Sequence, residues 1–510
     1  MEPAVEMLDI TKYFESTRVR ANDNVDFSVG KGEVHALVGE NGAGKTTLMN
    51  ILYGLLRPDS GTIRIDGQQV EINHPDDAIR LGIGMVHQHF KLVPSFTVAE
   101  NILLGTEPTN ALGILRKSDE IEMVRDLSNK FGLPIDPTAK VGQLPVGMQQ
   151  RVEILKSLER QAQILILDEP TAVLTPQESQ ELFHVVRQLA ASGRSVIFIT
   201  HKLLEVINVA DRVSVMRKGN MIGTRKIQDT NIREMANMMV GREVLLRPNK
   251  KPMTPGKPVL EIENLVVAGP GGIPAVMDVS FDVREGEIVG IAGVTGNGQT
   301  ELVEAITGMR HAELGKICLM SKDITRRPVS ERRRIGLAHI PEDRIAVGLN
   351  LETSLDENLV VTRYRQPLFS WLGLLRRGAM RDLSKSVIER FSIRAAKPGG
   401  SIAMLSGGNM QKVVLGRELG GEPNLIIANQ PTRGLDVGSI EFVHQTLLEA
   451  RERGAAILLI SVELDEILAL SDRIVVLFSS RINGRMDASD ATEEQLGILM
   501  AGGTLEEIPA

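Results

Sequence analysis

One strand–glycine turn–helix pattern is written twice in this chain, and the second copy has exchanged its ionisable groups. The apolar run Val34–Val38 leads into Gly39, Glu40, Asn41, Gly42, Ala43, Gly44, Lys45, Thr46 and Thr47. The run Ile288–Ala292 leads into Gly293, Val294, Thr295, Gly296, Asn297, Gly298, Gln299 and Thr300. The glycines keep their spacing, but Gln299 stands where Lys45 stands, 254 residues further on. Backbone N–H groups of such a turn point at an anion, and the dipole of the following helix adds to the attraction. A lysine at this position reaches the outer phosphates of a nucleotide, and the next hydroxyl ligates Mg²⁺. The first copy therefore reads as a phosphate-binding loop, and the second as the same loop without its cation.

Other landmarks repeat in the same order. Gln88 matches Glu342 at an offset of 254, and Leu144-Pro145-Val146-Gly147-Met148 matches Leu405-Ser406-Gly407-Gly408-Asn409 at 261. Asp168-Glu169 matches Asn429-Gln430, and His201 matches Val462, also at 261. A period this long is a duplicated domain rather than a solenoid unit. The shift in offset places seven extra residues in the second copy between Glu342 and Leu405. Four prolines and a glycine within residues 247–258 mark a linker. The expected organisation is a first domain over 1–246, the linker 247–258, a second domain over 259–500 and a tail over 501–510.

Within each half, buried parallel strands such as Ile164–Leu167 and Ser195–Ile199 alternate with helices. Thr175-Pro176-Gln177-Glu178 reads as a capping box opening a helix that stops at Gly193. Residues 90–145 and 345–400 interrupt the pattern with more helical, irregular sequence. The fold class is α/β.

Composition narrows the function classes. The net charge of −7 argues against a nucleic-acid partner. A single cysteine, Cys318, excludes a disulfide framework and any iron–sulfur or cysteine-rich zinc site. The acidic start, Met-Glu-Pro-Ala-Val-Glu, lacks the pattern of a signal peptide. The longest apolar runs fall far short of the ~20 residues that cross a bilayer. Any membrane role would need other subunits to do the spanning.

Asp168 and Glu169 end an apolar strand. In an α/β domain with a phosphate loop, the first carboxylate holds the metal or its water, and the second polarises the attacking water.

With these elements in order, the chain resembles a tandem nucleotide-binding subunit of the ATP-binding cassette (ABC) family across essentially its whole length. The resemblance implies two P-loop NTPase domains, each with a RecA-like core, a β-subdomain and an inserted helical subdomain. It implies ATP and Mg²⁺ as cofactors, with Thr46, Gln88 and Asp168 serving the metal. It makes Glu169 the general base, with His201 on the γ-phosphate and Gln88 as a sensor of Mg²⁺ and of the membrane partner. Phe14 takes the position of the aromatic that stacks on adenine. Ser406, Gly407, Gly408 and Asn409 match the family's Leu-Ser-Gly-Gly-Gln signature, which binds ATP held by the opposite domain of a head-to-tail pair. One composite site then has every group. The other draws on Gly293, Gly296, Asn297, Gly298, Gln299, Thr300, Glu342, Asn429, Gln430 and Val462, with Pro145 in place of the signature serine. It is expected to hydrolyse nothing useful; whether it holds nucleotide is left open.

Among tandem cassettes, Gly336–Arg344 and Pro431–Val437 are typical of bacterial importers of sugars and nucleosides. Met85–Phe90, Gly296–Leu302 and Asn429–Arg433 resemble the nucleoside branch, with a monosaccharide importer as the alternative. That family implies two transmembrane permease subunits, an extracytoplasmic binding protein acting indirectly, and a peripheral position on the cytoplasmic face of the inner membrane. The stretch Arg363–Arg377, near which the surplus residues are expected, carries the only tryptophan, clustered leucines and basic flanks. It reads either as a docking or lipid-contact surface or as internal packing of the helical subdomain, with the second slightly favoured.

Overall fold

A computed structural model describes residues 3–15, 18–87, 91–109, 115–171, 174, 176–243, 250–294, 296–394 and 396–504. Gln88 and Thr175 therefore lie outside the described residues. The chain divides into two compact units, Met1–Val244 with Asp436–Gly438, and Leu245–Leu435 with Ser439–Ala510.

In the first unit, the strands Val34–Gly39, Ile164–Asp168 and Ser195–Thr200 are buried at every position. Apolar runs covered on both faces are the mark of a parallel sheet flanked by helices. That sheet has six strands in the spatial order Asn220–Lys226, Arg212–Arg217, Val34–Gly39, Ser195–Thr200, Ile164–Asp168, Ile83–Val86. A separate antiparallel sheet orders Val19–Gly30, Pro3–Phe14, Ser60–Ile65 and Gln68–Val70. Helices Val98–Ile102, Lys117–Phe131 and Val146–Glu159 form the helical part, and Thr97 with Glu100 closes a capping box at its entrance. The helix after Thr175 spans Pro176–Ala191.

The second unit repeats this plan. Its six-stranded sheet runs Leu337–Ile340, Leu425–Asn429, Ala456–Ile460, Ile288–Ala292, Arg473–Phe478, Arg481–Asp487. Its antiparallel sheet runs Pro274–Arg284, Pro258–Ala268, Leu314–Leu319, Lys322–Asp323. Part of the linker stretch is seated on this unit: Lys250 pairs with Asp472 at 3.4 Å, and Lys251 O accepts from Arg451 at 2.9 Å.

The seven surplus residues are not one insertion, which corrects the expectation that they cluster near Arg363–Arg377. The matched cap residues Thr97 and Ser354 are 257 apart. The matched helix starts Lys117 and Arg377 are 260 apart, and the short turns at Val141 and Ile402 are 261 apart. The growth is thus three residues before Ser354, three between Ser354 and Arg377, and one after. The first step coincides with a π-turn at Arg344–Gly348, capped by the Asp343 carboxylate on the N–H groups of Ile345 and Ala346.

Candidate ATPase site

The order of the six-stranded sheet decides which side chains can meet. Val34–Gly39 lies beside Ser195–Thr200, which lies beside Ile164–Asp168, all parallel; Val38 pairs with Thr200, and Asp168 with Ile199. The glycine loop, Asp168-Glu169 and His201 therefore leave the carboxyl ends of three neighbouring strands. Open α/β sheets bind their ligands there.

The loop is held by close backbone packing. Gly44 has φ +103°, and a Cβ on it would lie 2.1 Å from Ala21 O. Asn22 donates its side-chain amide to Gly44 O at 3.2 Å. Asn22 lies on the strand Val19–Gly30, which pairs with Pro3–Phe14 and sets Phe14 opposite Val19. The helix Lys45–Leu52 starts directly after Gly44. Lys45 is buried, and its ammonium donates to Gly39 O at 2.8 Å and Glu40 O at 3.2 Å. Burial lowers its pKa, against the charges of Glu169 and Asp168.

The two carboxylates are pushed in opposite directions. Burial, then the neighbouring Glu169 charge, raises Asp168 to about 6, partly offset by Lys45 and the Thr46 hydroxyl. Burial also acts to raise Glu169, but the hydrogen bond and charge of His201, with Lys45 and Lys202, overcome it and hold Glu169 below its usual value. The His201 Nδ1–H donates to Glu169 Oε1 at 2.9 Å. Splitting two adjacent acids in this way is how a site assigns their roles. The same contacts favour the ionised form of Glu169. Asp168 and Thr46 present hard oxygens side by side.

Glu169 also has a left-handed backbone, φ 48°, fixed by its N–H donating to Ile199 O at 2.9 Å. A non-glycine residue there is strained, and such strain concentrates at functional sites. A further residue, not singled out from the sequence, ties the same loops together. Buried Glu205 accepts from Thr171 Oγ1 at 2.6 Å and Thr200 Oγ1 at 3.0 Å, bridging the segments that carry Glu169 and His201. The signal available was weak: a single acid on the short helix after His201.

The second unit keeps the framework and loses the chemistry. Gly298 has φ +95°, and a Cβ on it would lie 2.0 Å from Ala275 O, repeating the Gly44 packing. Gln430 has φ 49° and donates its N–H to Ile460 O at 2.8 Å, repeating Glu169. Gln299 is 7% exposed, and its Nε2 has no hydrogen-bond partner among the described residues. Asn297 accepts from Ser479 N through Oδ1 at 3.0 Å. Asn429 is buried at the end of its strand, and Gln430 Oε1 accepts from the Val462 N–H at 3.4 Å. Glu342 is paired with Arg433. No basic or acidic side chain stands where Lys45, Asp168, Glu169 and His201 stand in the first unit.

The signature segments differ in the opposite sense. Ser406 caps the helix Gly407–Leu419, with Oγ accepting from the Asn409 N–H at 3.5 Å and its Nδ2 at 2.8 Å. Asn409 Oδ1 accepts from Arg394 N at 2.9 Å. In the first unit Pro145 takes the cap position and supplies no side-chain bond.

The family profile described as "ABC transporter" matches residues 22–172 and 276–433. The chain belongs to the ABC transporter family, and it is an ATPase of the kind that powers transport. It is 50% identical to the guanosine import ATP-binding protein NupO of Bacillus subtilis (strain 168), covering 99% of each chain. It is 47% identical to the nucleoside import ATP-binding protein NupA of Lactococcus lactis subsp. cremoris, again covering 99% of each. A ribose import ATP-binding protein RbsA of Geobacillus kaustophilus is 38% identical, covering 98% of this chain and 99% of its own. Among solved structures, the archaeal ribosome recycling factor aABCE1, in complex with stalk protein aP1, aligns with TM-score 0.65 at 18% identity. That alignment covers 97% of this chain and 92% of that one, a likeness of fold.

Proposed function

We propose that this chain is the ATP-hydrolysing subunit of an ABC importer for nucleosides, with one working site and one silent one. The observation that carries the cargo is full-length identity: 50% and 47% to relatives named for guanosine and nucleoside import, against 38% to one named for ribose import. The observation that carries the asymmetry is the replacement of Lys45, Asp168, Glu169 and His201 by Gln299, Asn429, Gln430 and Val462, on a framework that repeats the Gly44 and Glu169 backbone at Gly298 and Gln430.

In the working site, Lys45 and the loop N–H groups hold the β- and γ-phosphates of ATP. Glu169, ionised and oriented by His201, accepts a proton from the attacking water. The resemblance assigns Phe14 to the adenine of the same ATP. Mg²⁺ fits the donors present. Thr46 and Asp168 offer two hard oxygens, and the described residues contain no cluster of three or more His, Cys, Asp or Glu that would make an all-protein cage. Mg²⁺ is ordinarily held by one or two such groups together with phosphate and water. When bound, it would neutralise phosphate charge; Gln88, its third expected ligand, lies outside the described residues.

The partners are two permease subunits that span the membrane, fed by an extracytoplasmic binding protein, and the chain sits peripherally on the cytoplasmic face. No helix among the described residues is long and apolar enough to cross a membrane. A strain lacking this chain should lose uptake of labelled guanosine and keep uptake of labelled ribose. Loss of ribose uptake with guanosine uptake intact would replace the nucleoside reading with the sugar reading.

A further inference from the structure

Between Val361 and Arg381 the second unit carries five arginines and no carboxylate, in a chain whose net charge is −7. The structure folds the middle of this stretch into a two-stranded hairpin in which Ser370 pairs with Leu375 and Trp371 with Leu374. Its base is anchored. Phe369 is buried against Val360 and Met380, and the Arg376 N–H donates to Phe369 O at 2.8 Å. This overturns the reading of Arg363–Arg377 as internal packing, because Phe369 is the only buried residue in that stretch. Trp371 is 70% exposed, Leu372 83% and Leu374 74%.

Two details indicate what the tip meets. Successive residues of a strand point to opposite faces. Trp371 and Leu374 therefore share one face, while the half-exposed Leu375 lies on the other, with Leu372 at the turn. The tip is apolar on both sides, whereas a surface that docks into a protein groove needs only one. Leu372 also takes a left-handed backbone, φ 48°, followed by Gly373 at φ +82°. That turn favours asparagine or glycine and penalises a bulky side chain. A leucine is held there in spite of the strain. Arg365, Arg376, Arg377 and Arg381, which flank the hairpin in the sequence, are all exposed and form no ion pair among the described residues; Arg377 lies close enough to act on the charge of Glu357.

We propose that this hairpin dips into the headgroup region of an anionic membrane, with Trp371 and the leucines at the acyl boundary and the arginines on lipid phosphates. Aromatic and leucine side chains with basic flanks suit that boundary, and cationic residues near an acidic leaflet add attraction that salt removes. The hairpin gives the chain its own contact with lipid, independent of any permease and of the cargo.

Trp371 is the only tryptophan, so its fluorescence reports on this tip alone. The test mixes the full chain with vesicles of phosphatidylglycerol and phosphatidylethanolamine, or of phosphatidylcholine alone. On anionic vesicles, emission should shift to the blue and the protein should float with the vesicles; on phosphatidylcholine it should do neither, and high salt should reverse both effects. Replacing Arg376→Gln and Arg377→Gln together should weaken partitioning roughly 30-fold, at the usual gain per basic residue. Trp371→Ser with Leu372→Ser should abolish flotation while ATP binding persists, which separates lipid contact from misfolding. Absence of a blue shift on anionic vesicles, equal binding to phosphatidylcholine, or a shift seen only with detergent-solubilised permease would each overturn the proposal, the last in favour of a protein partner.

Discussion

Replacing Glu169 by Gln should lower the ATP turnover of the assembled transporter by about 10²–10⁴-fold, the usual contribution of a general base, which is the role proposed for Glu169. The substitution keeps the size of the side chain and its capacity to accept from His201 Nδ1, so the 2.9 Å bond between them can survive. What it removes is the negative charge that His201, Lys45 and Lys202 hold in place. Because the left-handed backbone at this position is shared by Gln430 in the second unit, the fold tolerates glutamine there. ATP binding should therefore persist while turnover falls. The matching change in the second unit, Gln430→Ala, should leave turnover within a few-fold of the parent. Steady-state phosphate release from the reconstituted complex reads both. Turnover that survived Glu169→Gln and vanished with Gln430→Ala would reverse the assignment.

Substituting Lys45→Gln gives the first loop the side chain of the second, and turnover should drop by about 10²–10³-fold, the scale on which removal of a single preorganised charge-stabilising donor is felt. Lys45 is buried among loop carbonyls, with Asp168 and Glu169 near enough to act on its charge. The converse change, Gln299→Lys, should not create a second working site. It restores a cation, but Asn429, Gln430 and Val462 still supply no metal-holding carboxylate, no base and no imidazole. Groups that act as one unit do not contribute additively. Equal turnover in Lys45→Gln and the parent, or a doubled rate in Gln299→Lys, would each contradict this account.

What could be read from the sequence was what is local. The loop Gly39–Thr46 sits between a buried strand and a helix because glycine spacing and apolar runs are short-range signals. Asp168-Glu169 ends its strand for the same reason. The neighbour relations that bring the loop, Asp168 and His201 to one edge depend on strands far apart in the chain, so they followed from family resemblance and not from pattern. The Glu205 bridge depends on Thr171 and Thr200 meeting across two loops, which no periodicity encodes. Offsets between motifs gave the total surplus in the second copy but not its distribution, since only matched caps and helix starts locate each step. The exposure of the hairpin at Trp371 is not legible in the sequence, because leucines and an aromatic between helices look the same whether they pack inward or face solvent. The deciding facts are the cross-strand pairing and the burial of Phe369 alone.

The most direct test of the asymmetry counts the ADP trapped by vanadate in the reconstituted complex, per copy of this chain, after a single round of hydrolysis. One ADP per chain, falling to none in Glu169→Gln and unchanged in Gln430→Ala, is the predicted result. Two ADP per chain, or trapping that persists in Glu169→Gln at the level of the parent, would show that the second loop hydrolyses ATP and that the amides in it do not silence it.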